Sequence, residues 1–220
     1  MTGERRLNTA QNEPIQVYTW TTPNGYKIHI ACEEMGLAWK PIAVDIGKGD
    51  QFKPDFLKFS PNNKIPAIID PHGPDGAPFE LFESGAILIY LAEKTGQFFG
   101  NSYRERLSII QWLMFQMGGV GPMLGQAHHF RIYAPEPIEY AINRYTNEAK
   151  RLYQVINKQL NNCPYIAGEN YSIADMALYP WVYRWQRQGI ELSDYPAVHK
   201  WYEELSARPA VIKALSVNLE

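Results

Sequence analysis

The chain has 220 residues, 45% of them hydrophobic and 20% charged, with a formal net charge of −2. This is the balance of an ordinary globular protein with room for one large domain or two small ones. It excludes the basic footprint of a nucleic-acid-binding protein and a polybasic membrane patch. No uninterrupted apolar run approaches the roughly 20 residues that span a bilayer, so neither nucleic acid nor a membrane is an expected partner.

Residues 1–14 are polar and lack the apolar segment of a signal peptide, so they read as a loose N-terminal extension. Ile15 to Trp20 alternates apolar and polar, the pattern of a half-buried strand. Thr22 followed by Pro23 is an N-cap with proline at the first helical position. The helix it opens shows Ile28, Ala31, Cys32 and Met35 on one face and stops at Gly36. Trp39 to Asp45 is a second strand, and Pro41 puts it at a sheet edge. Phe52 to Lys58 is a short helix.

A third strand, Ile65 to Asp70, leads through a turn-rich stretch into a fourth, Phe79 to Phe82. The helix from Ser84 to Lys94 is apolar almost all round, so it is covered on more than one side. The order is β-α-β-α-β-β-α, with a boundary near residues 97–102. This divides the chain into 15–98 and 103–220. The second half shows no further strand. One helix runs through Leu107, Leu113 and Met117 and is expected to break at Gly118 to Pro122. A long amphipathic helix spans Ile138 to Leu160. Ser172 and Asp175 form a capping box, and the helix they start carries Trp181, Tyr183 and Trp185. A last helix begins near Pro196.

Two oddities stand out. Pro66 opens an apolar β-branched run, where a proline cannot donate to a ladder. Glu83-Ser84 sits where strand gives way to helix, which suits either an N-cap or an anion site. The two cysteines, Cys32 and Cys163, form no paired motif, so no disulfide framework is expected and a reducing, cytoplasmic setting is the default. Cys32 reads as a core thiol. His128 and His129 are adjacent, so on a helix they face different ways and, with no third ligand evident, no metal site is expected.

The ordered set of Ile65-Pro66, Glu83-Ser84 and the Ser172 to Asp175 cap resembles the glutathione transferase family, from about Ile15 to Ala214. The strings Thr22-Pro23-Asn24-Gly25-Tyr26-Lys27, Gly47 to Phe52, Ser60 to Ile68, Leu81 to Leu88 and Gly121 to Gln126 look like its bacterial nu class. That class is known for glutathione-dependent disulfide-bond reductases, and is related to a prion-forming nitrogen regulator. The resemblance implies an α/β thioredoxin-like N-terminal domain with an all-α C-terminal domain, a homodimer, and glutathione as substrate and ligand. The apolar helix Ala86 to Leu91, beside the charged segment Tyr103 to Arg106, agrees with dimerisation.

The resemblance also implies roles for individual residues. Ser84 would hold the γ-glutamyl carboxylate and Glu83 the amine. Pro66 would be cis, leaving the Ile65 backbone to pair with the cysteinyl part. Thr22 and Asn24 would face the thiol, in place of the Tyr, Ser or Cys of other classes. Gln51 would meet the glycyl end and Arg144 would contact glutathione; Lys64 suits a carboxylate by charge. Met123, Phe130, Tyr133 and Trp181 would line the second-substrate pocket, and Tyr18 would be core. The expected reaction is disulfide reduction by a bound glutathione thiolate. Conjugation to an electrophile or reduction of an organic hydroperoxide is the alternative. A non-catalytic glutathione-binding regulator is the second.

Overall fold

The computed structural model describes residues 13–219; the expected extension lies, up to residue 12, outside the described residues. Alternation at β1 (Ile15–Thr19) buries Ile15, Val17 and Thr19. β1 pairs in parallel with β2 (Trp39–Ala43) and antiparallel with β3 (Ala67–Asp70), which pairs antiparallel with β4 (Phe79–Phe82). The order is β2-β1-β3-β4. Pro41 lies opposite Val17 on the edge strand β2, where a missing donor does least harm.

Helix α1 (Pro23–Glu34) starts as expected at the Thr22 cap, whose Oγ1 accepts from the Gly25 amide at 3.2 Å. Gly25 is required there: a Cβ would lie 2.4 Å from both Thr19 Oγ1 and the Trp20 carbonyl of the neighbouring strand end. The one-sided apolar face expected of α1 is not what forms. Every residue from Gly25 to Cys32 is buried, Lys27 and His29 included. The helix is packed against α3 (Ser84–Thr95) on one side and against α7 (Ile173–Val182) and α9 (Pro209–Leu215) on the other. The expected helix at Phe52 to Lys58 is a 3₁₀ turn at Asp50–Phe52 followed by α2 (Pro54–Leu57). Tyr18 packs on Phe56 and Phe59 beside α2, in the core as expected.

Beyond Phe82, β pairing among the described residues is limited to an isolated Tyr165–Gly168 bridge. The expected break at Gly118 to Pro122 is absent. Helix α4 (Tyr103–Phe115) passes through a π turn at Gln116–Val120 into α5 (Gly121–His128), and a second π turn at His129–Tyr133 ends it. Pro122 is tolerated because the wider turn before it already breaks the α hydrogen-bond pattern. By length and composition this continuous helix could cross a membrane, which counting uninterrupted apolar runs missed. Leu113, Val120, Leu124 and Ala127, however, are buried in the protein core.

The long helix α6 (Glu139–Leu160) follows, then α7, opened by the expected capping box. Ser172 Oγ accepts from the Ala174 amide at 3.3 Å, and Asp175 accepts from the Ser172 amide at 3.1 Å. Asp175 also accepts from the Ile166 amide and from Trp201 Nε1 of α8 (Pro196–Ser206), so one buried carboxylate joins three segments. α7 ends at Val182, and Trp185 belongs to a separate 3₁₀ turn. Helix α9, not foreseen, returns to α1: Arg208 grips Glu34 with two bonds of 2.6 and 2.8 Å while stacking on Tyr171.

Candidate functional site

Where the N-terminus of α1 meets the helical half there is a cavity of about 580 Å³, the size of a small-molecule site. Its floor is Thr22, Pro23 and Asn24. Thr22 Oγ1 accepts from the Gly25 amide, so its own O–H remains a donor. Trp181 Nε1 donates to Asn24 Oδ1 at 3.1 Å. An indole N–H can only donate, so this contact fixes which end of the Asn24 amide is the oxygen. Its Nδ2 is thereby left free as a donor. Two side-chain donors at a helix N-terminus form a setting that favours a thiolate.

The wall beside the α1 N-terminus carries Gln51, Lys64 and Ile65. Gln51 Nε2 is held by the Ile46 carbonyl, while its Oε1 meets no donor among the described residues. The Ile65–Pro66 bond is cis, as expected, and Ile65 lies just outside the β3 ladder. The opposite wall carries His128, His129, Tyr133, Trp181, Arg184 and Arg187. Arg187 donates to the Tyr133 hydroxyl at 3.3 Å, and Arg184 lies over the Tyr26 and Tyr183 rings. Burial, aided by Arg187 and Arg184, holds His128 below its ordinary pKa. Among the described residues no Asp or Glu lines the cavity, so its lining is cationic.

Helix α3 begins at Ser84 with no side-chain cap on its N-terminus. A simple N-cap role for Glu83-Ser84 is therefore not what the structure shows. Glu83 has φ +73° and ψ 110°, a conformation that costs a non-glycine residue about 1–3 kcal/mol and is concentrated at binding sites. The Ser84 hydroxyl is turned inward: Lys27 Nζ donates to it at 3.1 Å. The backbone N–H groups at the start of α3 thus stay open for an anion.

Comparison with known proteins gives the family. The family models for the glutathione S-transferase N-terminal and C-terminal domains match residues 13–93 and 122–209. The chain belongs to the glutathione S-transferase family. It is 57% identical over 203 residues to the disulfide-bond oxidoreductase YfcG of Escherichia coli, covering 91% of this chain and 94% of that protein. A glutathione transferase family member from Pseudomonas fluorescens with two glutathiones bound is 44% identical, with a TM-score of 0.89 over 97% of this chain and 96% of that one. A glutathione transferase from Pseudomonas putida with one glutathione disulfide per subunit is 42% identical, with a TM-score of 0.88 over 93% and 92%.

Of the residues picked from the sequence of this glutathione S-transferase, Thr22, Asn24, Gln51, Lys64, Ile65, Tyr133 and Trp181 share the cavity. Arg144 does not: it is exposed on α6, in a separate groove with Met123 and Arg151. Phe130 stacks on Tyr145 at 5.4 Å instead of lining the cavity. Arg144 stands on the exposed face of α6, and Phe130 stands in the second π turn, which sets the direction of its ring. Glu83 and Ser84 lie outside the cavity, and Pro66 is buried behind Ile65. Arg184, Arg187 and Lys27 join the candidates from the structure. A lysine within an apolar helical stretch was the available signal for Lys27. The arginines reach the cavity only through tertiary packing. Among the described residues no three metal-binding side chains cluster.

Proposed function

We propose that this chain is a glutathione-dependent disulfide-bond reductase of the nu class. Residues 15–98 form its glutathione-binding domain and 103–220 its helical domain, in a cytoplasmic homodimer. The observation that carries this reading is the pair of donors Thr22 and Asn24 at the α1 N-terminus, with both protein thiols out of play. Cys32 is fully buried and burial pushes its thiol far up; Cys163, in a different part of the fold, is also raised by burial. Neither supplies a ready thiolate, so the reactive sulfur is the ligand's.

The bound glutathione thiolate attacks one sulfur of the substrate disulfide, forming a mixed disulfide and expelling the other sulfur as a thiolate that takes up a proton. A second glutathione thiolate attacks the glutathione sulfur of that mixed disulfide, releasing glutathione disulfide and the second substrate thiol. Two glutathiones supply the two electrons. Lys64 on one wall and Arg184 and Arg187 on the other favour an anionic second reactant, such as another glutathione.

The dimer is supported by a stripe on α4. Tyr103, Leu107 and Met114 are 78%, 47% and 48% exposed and follow one another at helical spacing. Sedimentation as a monomer would rule it out. For the activity, a Cys32→Ala, Cys163→Ala double variant retains reduction of 2-hydroxyethyl disulfide, while Asn24→Ala loses most of it. Loss of turnover in the cysteine variant refutes a glutathione-borne mechanism. Assays with an aryl halide and cumene hydroperoxide rank conjugation and peroxide reduction against it.

A further inference from the structure

Lys27 is 1% exposed, and nothing in the reaction above uses it. Its ammonium group sits at the junction of the two halves. It donates to Ser84 Oγ at 3.1 Å, to Gln116 Oε1 at 2.6 Å and to Met117 Sδ at 3.3 Å. Ser84 and Gln116 are themselves buried, 3% and 1% exposed. Gln116 and Met117 reach this point because they stand in the first π turn. Three neutral groups thus surround a buried cation. Such a cation is costly unless an anion balances it.

Among the described residues the charge acting on Lys27 does not suffice. Glu83 is the charged group that acts on Lys27, and burial still outweighs it, pushing the amine down to about 7. The ionisable groups on the packed elements are committed elsewhere. Asp175 of α7 serves Ile166, Ser172 and Trp201, and Tyr179 bonds Ser206. Lys213 of α9 pairs with Glu33, and Arg208 before it with Glu34. Lys94 and Tyr90 of α3 both engage Asp70, and His29 of α1 contacts Thr19. An anion held by the open amides of α3, directly beside Ser84, is the missing partner.

We propose that Lys27 is the protonatable counter-ion of the γ-glutamyl carboxylate, a positioning residue that acts through Ser84 and takes up a proton when the carboxylate binds. This rests on the glutathione reading above and adds to it a residue and a proton. The ammonium form donates to Ser84 and Gln116, and the Ser84 O–H, which donates to Met117 Sδ at 3.5 Å in this structure, would turn from that weak sulfur acceptor to the arriving carboxylate. A carboxylate arriving at the α3 N-terminus raises the affinity of Lys27 for its proton. When the ligand leaves, the proton is returned to solvent.

The test is calorimetric titration of the wild-type protein with S-methylglutathione, whose thioether cannot ionise, in buffers of different ionisation enthalpy. At pH 7.5 the wild type should take up at least about half a proton per site, the result of a shift of about one unit or more from a nearby charge. Uptake should fade below pH 6, where Lys27 is already charged. Lys27→Met should bind more weakly with no uptake. Lys27→Arg, charged at every pH, should bind with no uptake and a flat pH dependence. Tight wild-type binding without uptake, or uptake that survives in Lys27→Met, overturns the role of Lys27 and leaves the glutathione reading standing. No binding of S-methylglutathione by the folded wild type overturns both.

Discussion

Replacing Trp181 with Phe keeps an aromatic ring at this position, gives up the outer indole atoms beside Gly125 and removes one N–H. In the structure that N–H is what makes Asn24 present its oxygen to the helical domain and its Nδ2 to the cavity. Without it the amide can turn over and show the thiol an acceptor, which repels a thiolate. A neutral hydrogen bond is worth about 0.5–1.5 kcal/mol net, so loss of the orienting bond should raise the bound thiol's pKa by roughly 0.4–1 unit. Asn24→Ala removes the donor itself. A hydrogen bond to a charged group is worth about 1.5–3 kcal/mol, so the rise should be about 1–2 units. The assay is a pH titration of thiolate ultraviolet absorbance on saturating glutathione, with kcat/KM for 2-hydroxyethyl disulfide measured alongside. The order wild type, Trp181→Phe, Asn24→Ala in both readouts is expected. An unchanged thiol pKa in Trp181→Phe, with Asn24→Ala clearly shifted, refutes the orienting role of the indole.

Other consequences can be checked on stability. Thr22→Ala removes the α1 cap and should cost about 0.5–2 kcal/mol in urea unfolding, with Thr22→Ser close to wild type. Asp175→Ala strips several buried donors of their acceptor and should destabilise by about 3 kcal/mol or more, read as a fall in the denaturant midpoint. Burial works against ionisation of Asp70, but bonds from Lys94, Tyr90 and the His72 amide outweigh it and hold its carboxyl below the usual range. A depressed folded pKa means that this stabilisation is present above the unfolded value near 3.9 and is lost as pH falls below it, so Asp70→Asn should flatten the acid limb of stability against pH. Arg187→Ala should raise KM for an anionic disulfide more than for 2-hydroxyethyl disulfide.

Much of this molecule is written in local chemistry and could be read from the chain. The four strands follow from apolar alternation and turn residues. The caps at Thr22 and Ser172 follow from oxygen-bearing side chains placed just before apolar helices. The edge position of β2 follows from Pro41. What could not be read depends on where separate elements meet. An amphipathic reading of α1 fails because α7 and α9 cover the side that solvent would otherwise take, and so Lys27 and His29 end up inside. Arg184 and Arg187 join Lys64 at one cavity although more than a hundred residues separate them in sequence. Arg144 and Phe130 lie away from this cavity because α6 carries Arg144 on its exposed face and the second π turn stacks Phe130 on Tyr145, and neither orientation is written in a short sequence string.

The two π turns in the helix from Tyr103 to Tyr133 act as phase settings. Each turn of this kind accommodates one residue more than the α repeat, so everything beyond it is rotated by about 100° relative to an unbroken helix. The first turn brings Gln116 and Met117 onto Lys27 and still lets His128 reach the cavity farther along. Deleting Gly118 should let the hydrogen-bond ladder close as a regular α-helix and even favour it locally. The same deletion would swing His128 and Tyr133 out of the cavity by more than a quarter turn. Length in this segment is therefore constrained more tightly than composition: a substitution at Gly118, which has open space beside it, should be tolerated where its removal is not.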